Sequence, residues 1–361
     1  MPLPSIPEYS TSIKTPALVH PLILKGGHPI EKGVRLIKYS GGFCVVFPYQ
    51  TPNNKKYAVR CWHAEVSQAK IRTQRIAEAL ENAKLPYFVG FQYFEDGIMT
   101  PQGKQPIVVM DWVEAKSLKR FLGENILQSS SIEEVAENFK KMVADLHEHH
   151  FSHGDLQHGN IMVKPDLQLV LVDYDSMYVP ALNGMEDEIK GLQGYQHLSR
   201  WQNKLVSEKA DYFSELVIYL SLRALAKYPK LWNDLNMEDT DYMLFSGEDI
   251  QSHGKSEIFY MLKQDAELKP MVDRLCEFMS KSTIDELCPL EDAVISSVEK
   301  IGLKWKNGNG YTPKPKQGHI DNAEDIRDKW AGGNGYSASE AEQKRRKEIQ
   351  ESISSKFKKP E

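Results

Sequence analysis

His153-Gly154-Asp155-Leu156-Gln157-His158-Gly159-Asn160-Ile161-Met162-Val163, followed by Leu171-Val172-Asp173-Tyr174-Asp175, is the stretch on which the fold turns. An Asp and an Asn stand five positions apart on one loop, and another Asp comes thirteen residues after the Asn. Ile161–Val163 and Leu167–Val172 are short apolar runs on either side of Lys164-Pro165-Asp166. That pattern spells a small antiparallel hairpin, with Pro and Asp supplying the turn.

Both gaps resemble those of the protein-kinase catalytic loop and metal-binding segment, H-R-D-x-x-x-x-N and D-F-G. Phosphoryl transfer from ATP needs placement and charge neutralisation more than covalent help. The resemblance assigns Asp155 to orient the acceptor hydroxyl and take its proton. It assigns Asn160 and Asp173 as the oxygen ligands of Mg²⁺, a hard cation. The implied fold is α+β and two-lobed, protein-kinase-like. An N-terminal extension (1–30) precedes a small β-rich N-lobe (31–112), a large helical C-lobe (113–300) and a C-terminal tail (301–361).

Upstream, Val34–Tyr39, Phe43–Pro48 and Lys56–Trp62 read as three strands separated by Ser40-Gly41-Gly42 and Thr51-Pro52-Asn53-Asn54. Tyr57-Ala58-Val59-Arg60 resembles the strand motif V-A-I-K, with Arg in place of the phosphate-pairing Lys. Arg keeps the charge but is longer and planar, so the exchange is not conservative. It is open to three readings: a shifted phosphate grip, a nucleotide binder with little or no turnover, or a structural strand-end Arg. The segment from Tyr39 to Val46 stands where the phosphate-covering loop belongs, with Gly41 at its middle glycine and Gly42 beside it. A Gly-Gly hairpin turn accounts for the same residues.

Glu65–Asn82 carries a partial apolar stripe and reads as a helix. Its partner for Arg60 is not unique: Glu78 fits by distance, while alignment on Gln74-Arg75-Ile76 leaves Thr73 at that place. Phe88–Phe94 and Pro106–Met110 read as strands joined by a turn-rich connection. Val108–Glu114 resembles the linker between kinase lobes, with Met110 guarding the back of the pocket and Asp111 and Val113 offering main-chain contacts to adenine.

Ile132, Val135, Ala136, Phe139, Met142, Val143 and Leu146 form one helical face, with Ser131 and Glu134 spelling a capping box. The helix leads into His147, His149, His150, His153 and His158, which read as packing positions and loop residues rather than a metal cluster. Beyond Asp173, the segment to about Trp201 occupies the place of an activation segment. It offers hydroxyls at Ser176, Tyr178 and Tyr195, and Gly194-Tyr195-Gln196-His197 sits where A-P-E would fall. His-Gly-Asp and Gln157 are closer to small-molecule and atypical, bacterial-type kinases than to H-R-D. Leu216–Leu222 is apolar nearly all round, as a core helix is. By the resemblance, Asp211 ahead of it braces the catalytic loop.

Composition fits a soluble globular chain of 361 residues with net charge −5. From Leu303 onward, 13 Lys/Arg stand against 9 Asp/Glu. The whole-chain charge supplies no case for nucleic acid, and no apolar run is long enough for a membrane span. Four scattered cysteines argue for reduced thiols, and the N-terminus lacks the blocks of a signal peptide, so a cytoplasmic setting is expected. In the tail, Trp305–Tyr311 recurs as Trp330–Tyr336, a W-x-x-G-N-G-Y repeat whose aromatic pairs suit docking on this protein or on a partner, or a plain linker.

Three functions follow as expectations. The first is an ATP- and Mg²⁺-dependent phosphotransferase acting on Ser/Thr of a protein. The second is a nucleotide-binding pseudokinase serving as an interaction or regulatory module. The third is a small-molecule kinase or nucleotidyl transferase on the same fold. A protein substrate or regulatory partner is expected, and the oligomeric state is open.

Overall fold

The upstream strands build one antiparallel sheet in the order His28–Pro29, Cys44–Gln50, Lys56–Trp62, Gly103–Asp111, Phe91–Thr100, with Tyr39–Ser40 also paired to Cys44–Gln50. The computed structural model describes residues 3–66 and 68–294. Met1–Ile301 form one unit; the remainder, with both tail repeats and the strongly charged stretch Ser337–Phe357 whose composition suggests a helix, lies outside the described residues.

Side chains alternate across a strand, and here both faces are apolar. Cys44, Ala58, Trp62, Val108 and Met110 belong to the core shared with the helical lobe. Val45, Phe47, Tyr49, Tyr57, Val59, Cys61, Ile107 and Val109 form a second core on the opposite face. A sheet apolar on both sides needs two covers. The second cover comes from the N-terminal residues. The sequence suggests an extended arm there, but Ile6–Ile13 is a helix that buries Tyr9 and Ile13 in the outer core. The Tyr9 hydroxyl donates to the Trp62 carbonyl at 2.9 Å. The prolines of this segment are compatible with the helix because Pro7 occupies its first turn, where a missing N–H costs nothing.

Three other expectations change. Val34–Tyr39 is not one strand: Arg35–Leu36 pairs with Glu31–Lys32 in a separate two-stranded sheet, and only Tyr39–Ser40 joins Cys44–Gln50. Phe91–Thr100 and Gly103–Asp111 run through the supposed connection as one long hairpin, bulged between Phe94 and Ile98. Ser131 lies inside a helix that starts at Ser129, with Gln128 at its N-cap, so the Ser131–Glu134 box does not form.

The helical lobe is built on Ser129–Glu148 and Tyr212–Lys227, the latter buried on nearly every side. His147 joins them: Nε2 lies 2.9 Å from Glu215 Oε1, and Nδ1 lies 3.0 Å from Glu291 Oε1. Burial opposes its charge, but the two glutamates outweigh it and raise its pKa to about 10. A histidine pKa raised on folding stabilises the native state fully below the unfolded value of about 6.5, and that stability is lost as pH rises through the folded value. Unfolding midpoints should therefore fall between about pH 6.5 and pH 10, and His147→Phe should flatten that slope in denaturant titrations.

Candidate active site

The hairpin forms as the sequence implies: Ile161–Val163 pairs with Leu169–Leu171, Ile161 facing Leu171. It fixes the catalytic loop on one side and Asp173 on the other. The Asn160 carbonyl accepts from the Val172 N–H at 3.0 Å, and His153 Nε2 meets the Val172 carbonyl at 2.9 Å. Asp211 turns its carboxylate away from its own helix end and onto this loop. It accepts from the His153 N–H and from the Gly154 N–H, the latter at 3.0 Å. Buried main-chain donors need such partners, so Asp211 is the brace the resemblance implies.

Gly154 explains why this loop reads His-Gly-Asp. Its φ is +76°, and a β-carbon there would collide with the Ser176 carbonyl oxygen. Its absence lets the chain after Asp173 lie directly against the loop, where Ser152 and Tyr178 exchange main-chain hydrogen bonds at 3.1 and 2.9 Å. Ser176 and Tyr195 are buried, and the Tyr195 hydroxyl meets His158 Nδ1 at 2.6 Å. Of the three hydroxyls noted in the sequence, only that of Tyr178 belongs to a residue that is not fully buried.

Asn160 is buried and donates its amide to the Asp155 carbonyl at 2.8 Å and to Asp155 Oδ2 at 3.0 Å. Asp155 Oδ1 accepts from the Leu192 N–H at 2.9 Å. Burial raises the Asp155 pKa, with nearby Asp173 adding to the effect against these hydrogen bonds. Because the Asn160 nitrogen is spent on Asp155, its amide oxygen is left as an acceptor. That oxygen and the exposed Asp173 carboxylate form a set suited to Mg²⁺, which takes one or two protein oxygens besides phosphate and water.

Arg60 is buried and points into the cleft. Its Nε donates to Cys44 Sγ at 2.9 Å, its Nη1 to Asp175 Oδ1 at 2.8 Å, and its Nη2 to Asp173 Oδ1 at 2.7 Å and to Asp175 Oδ2. Burial works against its charge, but Asp173 and Asp175 outweigh it and hold the guanidinium firmly cationic. Neither residue weighed as its helix partner reaches it. Glu78 is exposed on the Ala69–Ala83 helix, and the Thr73 hydroxyl donates back to the Ala69 carbonyl at 2.7 Å. That helix instead buries Arg72, which donates to the Glu186 carbonyl at 3.0 Å.

Behind Arg60 lies a water-sized cavity of about 20 Å³, lined among others by Thr73, Ile76, Val108 and Met110. Met110 is buried beside this cavity. Ala58 is half-buried on the same face as Arg60, paired with Met110. The Asp111 N–H is committed to the Gly90 carbonyl at 2.8 Å and its carboxylate to Lys55 at 2.9 Å. Val113 is half-buried and its carbonyl accepts from the Ala115 N–H at 3.1 Å. Gly41 and Gly42 form an open turn closed by the Gly41 N–H on the Cys44 carbonyl at 2.9 Å, with free space around Gly42.

The structure thus brings Asp155 to Asn160 and Arg60 to Asp173. Sequence reasoning missed Asp175, Arg72 and the Leu192 contact. Asp175 stands where D-F-G has its glycine, a signal that was available. Arg72 is a charged residue on an otherwise apolar helix stripe. The Leu192 contact is made by the backbone and leaves no mark in the sequence.

The sequence matches the protein kinase domain over residues 40–284, and the chain belongs to that family. The family is one of phosphotransferases, and its two-lobed α+β fold is the one described above. No curated protein matches the sequence. Among the described residues, no helix is long and apolar enough to cross a membrane.

Proposed function

We propose that the protein is an ATP- and Mg²⁺-dependent phosphotransferase acting on Ser/Thr hydroxyls of a protein. The observation that carries this reading is the Asp155–Asn160 hydrogen bond inside a loop braced by Asp211. Asp155 orients the acceptor hydroxyl and takes its proton. Asn160 holds Asp155 in place and, with Asp173, would hold Mg²⁺, which when bound neutralises phosphate oxygens. Arg60 fixes Asp173. A polypeptide acceptor is supported by the exposed Leu198, Trp201 and Leu205 at the end of the activation segment, apolar side chains suited to protein contact. The four cysteines are free thiols, in keeping with a cytoplasmic setting.

A second reading, a nucleotide-binding pseudokinase acting through partners, is favoured by the same clamp seen from the other side. Arg60 spends four hydrogen bonds on protein groups, and Asp155 is covered by the Leu192 N–H.

Wild type and Asp173→Ala, incubated with Mg²⁺ and γ-labelled ATP, separate the two readings. Label entering protein with wild type and falling at least about 100-fold in the variant supports the kinase. Nucleotide binding without transfer supports the pseudokinase, and label from the α-phosphate alone would point to nucleotidyl transfer.

A further inference from the structure

We propose that Asp175 is the positioning partner of Arg60, performing in the metal-binding segment the duty that a helix glutamate performs for the strand lysine in protein kinases. The proposal deepens the phosphotransferase reading and rests on it for the ligand, MgATP.

Two departures from the family pattern, Arg for Lys on the strand and Asp for Gly after the metal aspartate, meet in space. Arg60 and Asp175 are 115 residues apart, yet they face each other fork to fork through Nη1–Oδ1 at 2.8 Å and Nη2–Oδ2. A planar guanidinium matches a carboxylate in this two-pronged way, whereas a lysine ammonium offers a single nitrogen. The same Nη2 also holds Asp173 Oδ1 at 2.7 Å. One residue thereby ties the strand to both carboxylates, and each departure accounts for the other.

The helix shows the complementary change. Where an acid would face the strand, it presents Thr73 and the buried Arg72, and Arg72 reaches the Glu186 carbonyl at 3.0 Å and the Asp175 carbonyl at 3.4 Å. Acid has moved from helix to loop, and base has been added to the helix. Alignment of Arg60 then depends on the metal-binding segment rather than on the helix. Asp175 has no part in the chemistry itself; it sets the direction of Arg60 and, through the shared Nη2, of Asp173.

The test is a double-mutant cycle on the full chain, read by titration of a fluorescent ATP analogue in Mg²⁺, with thermal unfolding to verify folding. Asp175→Asn keeps the shape and removes the charge; Asp175→Glu is the second variant in case the first does not fold. Asp175→Asn and Arg60→Lys should each weaken MgATP binding by about tenfold, and the double variant should be no weaker than the worse single one. Glu78→Ala should bind as wild type. In transfer assays the KM for ATP should rise in Asp175→Asn while that for the acceptor holds. Wild-type binding by Asp175→Asn, fully multiplying effects in the double variant, or an equal loss in Glu78→Ala would overturn the proposal. Wild type that binds MgATP without transferring phosphate would defeat the phosphotransferase reading alone. Wild type that binds no MgATP would defeat both.

Discussion

Asp155→Ala should bind MgATP as wild type does while phosphoryl transfer falls by about 10²–10⁴-fold, the usual worth of a positioned acid–base group. The separation follows from how the loop is held. Truncation removes the acceptor of the Leu192 N–H and one of the two Asn160 contacts. Asn160 keeps its 2.8 Å hydrogen bond to the Asp155 carbonyl, which belongs to the backbone and survives the substitution. Asp211 continues to hold His153 and Gly154 through their main-chain N–H groups. Isothermal titration with MgATP and transfer of γ-label measure the two effects separately. A parallel loss of binding would mean that Asp155 shapes the nucleotide site instead of serving the acceptor.

The second large effect is expected one residue earlier. Gly154→Ala should lower the unfolding free energy by about 3–5 kcal/mol and abolish transfer. A left-handed φ costs a non-glycine residue on the order of 1–3 kcal/mol, and overlap in a packed site costs a similar amount again. Here the φ is +76° and the obstacle is the Ser176 backbone, which cannot rotate away as a side-chain tip would. Relief would require parting the Ser152–Tyr178 main-chain pair and pulling the activation segment from the catalytic loop. Denaturant unfolding gives the free energy. A loss below about 1 kcal/mol would mean that the segment is held elsewhere, for instance by the buried Arg200–Asp187 pair.

Much of this could be read along the chain because the informative objects are local. A hairpin with a Pro-Asp turn and an Asp–Asn gap of five residues have geometries set by near neighbours, and both stand as the sequence implies. The all-apolar helix after Asp211 was equally plain, since a helix without a polar face has nowhere to go but inside. The N-terminal helix was less so. Its prolines masked it, and the evidence that something must cover the sheet lay in other strands, in the outer faces of Cys44–Gln50 and Lys56–Trp62.

By itself, the sequence determined the order of parts: two lobes, a loop that pairs Asp155 with Asn160, and a hairpin that leads on to Asp173. The tertiary structure alone decided which acid Arg60 would meet, and it chose Asp175 over Glu78. An ion pair between distant segments depends on which charged group packing leaves within reach once the chain has folded. Spacing in one dimension does not contain that quantity.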